Sequence, residues 1–322
     1  MTLPVPAFYD PRHAAEIYLE RTDAVVKAAH EYRRHYHVKP ARDDAPRIAA
    51  LGIDVQVCFA HPQGSLFVPG AVEDMQRTLL WLYRHLDRVT DLFFSLDTHT
   101  LHQVFHPAWW VDADGNHPAP FTPISAADVD AGRWRPTREV AATVEYVHRL
   151  ESGGKYMLTI WPYHALVGGL GHALVPAMME AALFHDIVRD TQSTFEIKGR
   201  EPRTENYSIL SPEVRELAGE AIGEFNETFF QKLMGYDRIY VFGQAKSHCV
   251  LSTLLDLKAR IETVDASMLK KVYVLEDAMS PVPAPPIEPL PPELDFPKVA
   301  GHAFAKLAQA GMNMVTTEQP IG

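Results

Sequence analysis

The sequence predicts an α/β fold, a three-layer αβα sandwich on a central, mostly parallel sheet. Two observations predict it. Short apolar runs rich in β-branched and aromatic residues alternate with helical stretches, the order required by a parallel sheet covered on both faces. Several of these runs also end in reactive residues, where an open parallel sheet gathers its ligands.

The elements follow in chain order. Residues 11–36 read as a helical arm suited to packing or to an oligomer surface. The run Ile48-Ala-Ala-Leu-Gly-Ile-Asp54 is apolar up to its last residue, as a strand buried on both faces must be. A helix at about 71–88 leads to Asp91-Leu-Phe-Phe-Ser-Leu-Asp97, the second strand. The third is expected at 155–160, the fourth at 194–198, the fifth at 238–243, and two more at 271–275 and 312–315. Helices are expected at about 173–189, 212–234, 249–264 and 298–310. Residues 100–152, with Phe105-His-Pro-Ala-Trp-Trp110 and a helix-like stretch from Thr137, form an excursion too long for a simple connection, of the kind that covers a site. Between 279 and 297 stand Pro281, Pro283, Pro285, Pro286, Pro289, Pro291, Pro292 and Pro297, which force an extended surface loop. The expected organisation is an N-terminal helical arm over 1–46 and one domain over 47–322, with the insertion and the proline-rich loop inside it.

Composition narrows the chemistry. A chain of 322 residues, 47% hydrophobic and 22% charged, is long and apolar enough for a substantial core. Its formal net charge of -11 repels a phosphate backbone, so nucleic acid is not an expected partner. No apolar run approaches the ~20 residues of a spanning helix, and the first residues carry neither a basic nor an apolar signal region, so no membrane partner and a cytoplasmic location are expected. Cys58 and Cys249 are the only cysteines, too few for a disulfide framework, so any metal must use His and carboxylates. Cys58 reads as a buried structural thiol.

Two groups of strand-end residues carry chemistry. Asp97-Thr-His99 places a carboxylate and an imidazole two apart, and His164 adds a second imidazole, a set that can make an open metal site. Asp54, Lys198 and Cys249 form the other group. Cys249 follows a β-rich run and opens an amphipathic stretch, so the thiol sits where a helix N-terminus favours the thiolate. A carboxylate can take the thiol proton and pass it to departing ammonia, and a nearby ammonium favours both anions.

These motifs resemble the nicotinamidase branch of the isochorismatase-like cysteine hydrolases over most of the chain. Ile53-Asp-Val-Gln-Val-Cys-Phe59 is similar to the family's first strand and following loop, which implies Asp54 as general base and Phe59 as a pocket aromatic. Asp97-Thr-His99 and Trp161-Pro-Tyr-His164 resemble the metal-binding Asp-x-His and Trp-Pro-x-His. Lys198-Gly followed by Glu205 resembles the segment with the catalytic lysine and a Glu that reaches the metal through water. Gly243-Gln-Ala-Lys-Ser-His-Cys-Val250 looks like the nucleophile loop, implying oxyanion-binding amides at Ala245 and Cys249. By the same resemblance Trp161 and His248 join Phe59 as substrate-binding residues. It further implies the isochorismatase-like hydrolase fold, a divalent metal ion (zinc first, with iron or manganese as alternatives), a small-molecule amide substrate, and hydrolysis of nicotinamide to nicotinate and ammonia through a thioester. A homo-oligomer fits the arm. The chain departs from the pattern at His248, where nicotinamidases often have Tyr, and in the Thr-Leu-His-Gln-Val-Phe that follows His99. The alternatives are another carboxamide, an isochorismatase-type substrate, or a non-catalytic binding protein.

Overall fold

The computed structural model describes residues 3–153, 156–285 and 288–321. At its centre lies a six-stranded sheet. We number its strands β1 (Ile48–Ile53), β2 (Asp91–Asp97), β3 (Thr194–Lys198), β4 (Arg238–Gly243), β5 (Val272–Leu275) and β6 (Asn313–Val315). They run in the spatial order β6-β5-β4-β1-β2-β3, and every pairing is parallel. The order reverses beside β1, so the crevice at the carboxyl ends of β1 and β4 is where such a sheet holds a ligand. All six residues of β1 are buried, which explains its unbroken apolar run.

The helices are α1 (Thr22–Tyr36), α2 (Ala71–Arg84), α3 (Val140–Gly153), α4 (Pro176–Arg189), α5 (Glu227–Met234), α6 (Leu251–Val264) and α7 (Phe296–Ala310). The arm is not one helix: a 3-10 turn at Pro11–Ala15 and an extended stretch precede α1. In α1 the buried Val25, Ala29 and Tyr32 fall four and three residues apart, a single stripe that packs on α4, where Tyr32 meets Phe184 at 5.3 Å.

Three expectations are corrected. The run expected as the third strand reduces to Leu158–Thr159, outside the central sheet. It pairs antiparallel with Pro123–Ile124 of the insertion, and the Ile160 and Trp161 amides donate to Thr122 and Phe105 carbonyls of the same excursion. The edge of β2 is taken by β3 instead. An apolar run announces a strand but not its partner, and Lys155 itself lies outside the described residues. The helix expected at 212–234 exists only from Glu227, where the Asn226 side chain accepts from the Phe229 amide. Before it, Ala218 and Gly219 at positive φ turn a hairpin that pairs Glu216–Leu217 with Glu220–Ala221. The proline-rich segment is not purely a surface loop: Val282, Leu294 and Phe296 are buried, while Pro286 lies outside the described residues. Among the described residues no helix is long and apolar enough to cross a membrane.

Candidate active site

Asp54 leaves β1 in left-handed backbone (φ 46) and is fully buried. Such a φ is uncommon for Asp and is held here by Ser95 of β2, whose hydroxyl accepts from the Asp54 amide at 2.9 Å and donates to Oδ1 at 2.5 Å. The β2–β3 register sets Asp97 directly beside Lys198. Lys198 Nζ therefore stands 2.9 Å from Asp97 Oδ1 and 2.9 Å from Asp54 Oδ2, donates to the Asn206 carbonyl at 3.0 Å, and lies 3.7 Å from Cys249 Sγ. The contact with Asp54 Oδ2 is an ion pair, and a carboxylate oxygen so paired keeps a second lone pair open to another donor.

Beyond β4, Gly243 adopts φ 119, and a Cβ there would lie 2.0 Å from the Ile53 carbonyl oxygen, so glycine lets the two strand ends close together. The chain then passes the cis peptide Gln244–Ala245 into a π-helical turn, Lys246–Val250, that leads into α6. Cys249 sits inside this turn, buried at 6% exposure, rather than at the first residue of α6.

Burial dominates the electrostatics. It pushes the Cys249 thiol well above its ordinary value, against the pull of the Lys198 ammonium. It also raises Asp54, again opposed by Lys198. Burial acts upward on Asp97 too, but His99 and Lys198 outweigh it and hold that carboxyl well below the usual range. On Lys198 burial acts downward and is overcome by Asp54, Asp97 and Cys249, so the lysine stays charged. A buried cation between two carboxylates and a thiol is the arrangement in which one proton moves among neighbours at constant net charge.

Asp97, His99 and His164 converge so that one ligand atom from each lies within 4.8 Å of the others, all buried. His99 Nε2 is 2.8 Å and His164 Nε2 is 3.6 Å from Asp97 Oδ2. Each ring turns its other nitrogen to a backbone carbonyl, His99 Nδ1 to Gly199 at 3.0 Å and His164 Nδ1 to Pro162 at 2.7 Å. A carbonyl can only accept, so each Nδ1 donates to its carbonyl and Nε2 is the nitrogen that turns to the carboxylate and would bind an ion. Two imidazole nitrogens and one carboxylate oxygen with their outer contacts made are a donor set that fits zinc or a similar divalent ion. Gly199 is part of this fit: at φ +79, a Cβ would come within 2.6 Å of His99 Cε1 and 2.7 Å of Asp97 Oδ1.

Above these groups is a pocket with about 470 Å³ of empty space, walled by Phe59, Leu66, Phe105, Trp161, Tyr207 and Val282. Asp97, His99, His164, Glu205, Ala245, His248 and Cys249 also line it. Phe59 stands edge-on to His164 at 5.5 Å, and Trp161 edge-on to His248 at 5.1 Å. Asp54 and Lys198 are not among the lining residues, and Lys198 Nζ lies 3.7 Å from the Cys249 sulfur that is. Glu205 lines the same pocket, and its oxygens accept from the Tyr207 and Tyr146 hydroxyls, each at 2.6 Å. Trp161 Nε1 in turn donates to Tyr207 Oη at 2.9 Å. Burial raises Glu205 to about 7 despite the two tyrosines.

Sequence reasoning missed Ser95, Asn206, Phe105, Tyr146 and Tyr207. Ser95 had a signal, a lone hydroxyl in the apolar run of β2. Asn206 acts through its backbone, and Tyr146 arrives from α3, 59 residues before Glu205 in the chain; neither leaves a local trace.

No protein-family model matches the chain, and no curated protein matches its sequence. Solved structures do. The nicotinamidase/pyrazinamidase of Acinetobacter baumanii is similar with a TM-score of 0.51 at 18% identity, over 84% of this chain and 97% of that one. The yeast nicotinamidase bound to the inhibitor nicotinaldehyde gives 0.52 at 16% identity, over 84% and 99%. A second structure of the yeast enzyme gives 0.51 at 16%, over 83% and 99%. The parallel six-stranded sheet, flanked by helices and matched along nearly the whole of each of these proteins, gives this chain the fold of the nicotinamidases.

Proposed function

We propose that this chain is a cysteine-dependent amidohydrolase that cleaves a primary carboxamide, nicotinamide foremost, through a thioester intermediate. One observation carries the reading: a single buried ammonium, Lys198 Nζ, lies 2.9 Å from the Asp54 and Asp97 carboxylates and 3.7 Å from the Cys249 sulfur. The pocket floor then has the parts an acyl transfer needs. Asp54, through its open Oδ2, takes the thiol proton as Cys249 Sγ bonds to the carbonyl carbon. The Ala245 and Cys249 amides hold the oxyanion, a contribution of ~3 kcal/mol per donor in comparable sites. The carbon–nitrogen bond breaks as Asp54 returns its proton to the nitrogen, and ammonia leaves. Asp54 next takes a proton from water as the hydroxide adds to the thioester, and the carboxylic acid departs as the proton goes back to sulfur. Lys198 stays charged throughout and keeps both carboxylates in place.

Asp97, His99 and His164 would hold a divalent ion, which when bound supplies a Lewis-acid contact for a substrate ring nitrogen. Phe59 and Trp161 provide flat apolar walls for the ring. The test is ammonia release across a panel of primary carboxamides with nicotinamide included. Cys249→Ala should lower turnover by on the order of a thousandfold or more while leaving metal content unchanged. Substantial ammonia release by that variant would overturn the scheme.

A further inference from the structure

His248, the residue before the proposed nucleophile, is surrounded by rings. Tyr156 stacks on it at 5.3 Å with 15° between planes, Trp161 meets it at 90°, and Phe296 lies 4.7 Å away edge-on. The imidazole is buried, and burial pushes its pKa down to about 3, so the ring is neutral. Its tautomer follows from its neighbour. Ser247 Oγ lies 2.9 Å from His248 Nδ1 and accepts a hydrogen bond from the Val282 amide at 3.0 Å. Among the described residues no other acceptor stands within reach of that hydroxyl, so its hydrogen goes to Nδ1, which makes Nδ1 the acceptor and leaves the ring proton on Nε2. Among the described residues nothing accepts from Nε2. The ring borders two cavities at once: the pocket over Cys249, and a second with about 620 Å³ of empty space walled by Tyr156, Met157, Thr159, Leu294 and Phe296. Tyr207 and His248 are common to both.

We infer that His248 Nε2–H is a specificity-determining donor, and that the preferred substrate is a ring carboxamide bearing a neutral hydrogen-bond acceptor away from its amide. This rests on the amidohydrolase reading and assigns a further contact in the same pocket. An anionic substituent does not fit, because an uncharged imidazole among aromatic rings offers an anion no counter-charge. An apolar substituent leaves the N–H without a partner, the penalty a polar site imposes on the wrong ligand.

The experiment uses nicotinamides that carry either an acetyl group or its isosteric isopropenyl group at each open ring carbon. Binding is measured by calorimetry on metal-loaded Cys249→Ala protein, and turnover on the wild type. At one ring position the acetyl compound should bind about tenfold tighter than its isostere. Adding His248→Phe, which keeps a flat ring but no donor, should bring the pair within about twofold. A preference that survives His248→Phe, or no preference at any position, or no binding by any compound, overturns the inference. Binding with that preference but without ammonia release by the wild type leaves the donor standing and rejects the amidohydrolase reading instead, so the two failures are told apart.

Discussion

Glu205 shows how one residue's surroundings set a property of the whole chain. Its carboxyl, closed in by Tyr146, Tyr207 and Trp161, titrates at about 7 against an ordinary 4.5 because it is buried. Below about pH 4.5 the folded and unfolded chains both hold this proton. Between about 4.5 and 7 only the folded chain does, so the contribution of Glu205 to stability falls as pH rises through that window and levels off above it. The change is on the order of 3 kcal/mol. Urea unfolding of wild type and Glu205→Gln at several pH values should show the wild type losing ground to the variant from pH 4.5 to 7. A constant difference between the two would mean that the carboxyl is already ionised at the low end. The residues that make this environment come from α3, from the segment after β3 and from the Trp161 loop, so Glu205 could be picked out in sequence but its tyrosine partners could not.

At the scale of elements, what could be read in sequence was what the parallel sheet dictates. Asp54 and Asp97 close apolar strand runs and Lys198 closes the shorter Thr-Phe-Glu-Ile-Lys run, and a parallel sheet brings such ends to one edge whatever the connections do. Cys249 was placed near the start of a helix for the same reason, although the π-helical turn before α6 could not be foreseen. The third expected strand failed because periodicity does not name a partner, and the long helix failed because a two-residue turn at Ala218 and Gly219 broke it. The arm was expected as packing surface, and its anchor is specific. The Arg21 backbone amide and guanidinium both donate to Glu180 of α4, at 2.8, 2.9 and 2.7 Å, with Tyr18 adding a bond at 3.0 Å. The Glu180 side chain is 2% exposed and the Arg21 side chain 38%. Arg21→Ala removes two of the charged donors from a buried carboxylate, and after allowance for the exposed side of the guanidinium the loss should be about 2 kcal/mol. Arg21→Lys should recover only part of it, since an ammonium cannot reproduce the fork. Unfolding free energies within about 0.5 kcal/mol of wild type for both variants would show that the arm is held by its apolar stripe alone.

For the whole molecule, the Asp97, His99 and His164 set ties the end of β2 to the loop behind Trp161, beside the isolated parallel bridge between His99 and Leu166. An ion held there binds the folded chain and has no such site in the unfolded one. At a hundredfold excess over its dissociation constant it would add ~2.7 kcal/mol of stability. Stripping metal with a chelator should therefore lower the melting temperature by roughly 4 °C, and adding back zinc should restore it. His164→Ala should melt at the same temperature with or without chelator. If the wild type is equally indifferent, the three residues hold no ion. The position of Lys198 has a different consequence. Its strand, β3, is bordered by a neighbour on one side only, and Phe195 and Ile197 on it are 36% and 56% exposed. The cation that reconciles two buried carboxylates with a thiol thus hangs from an edge strand, so a brief peeling of that rim would disarm Cys249 while the rest of the sheet stays folded.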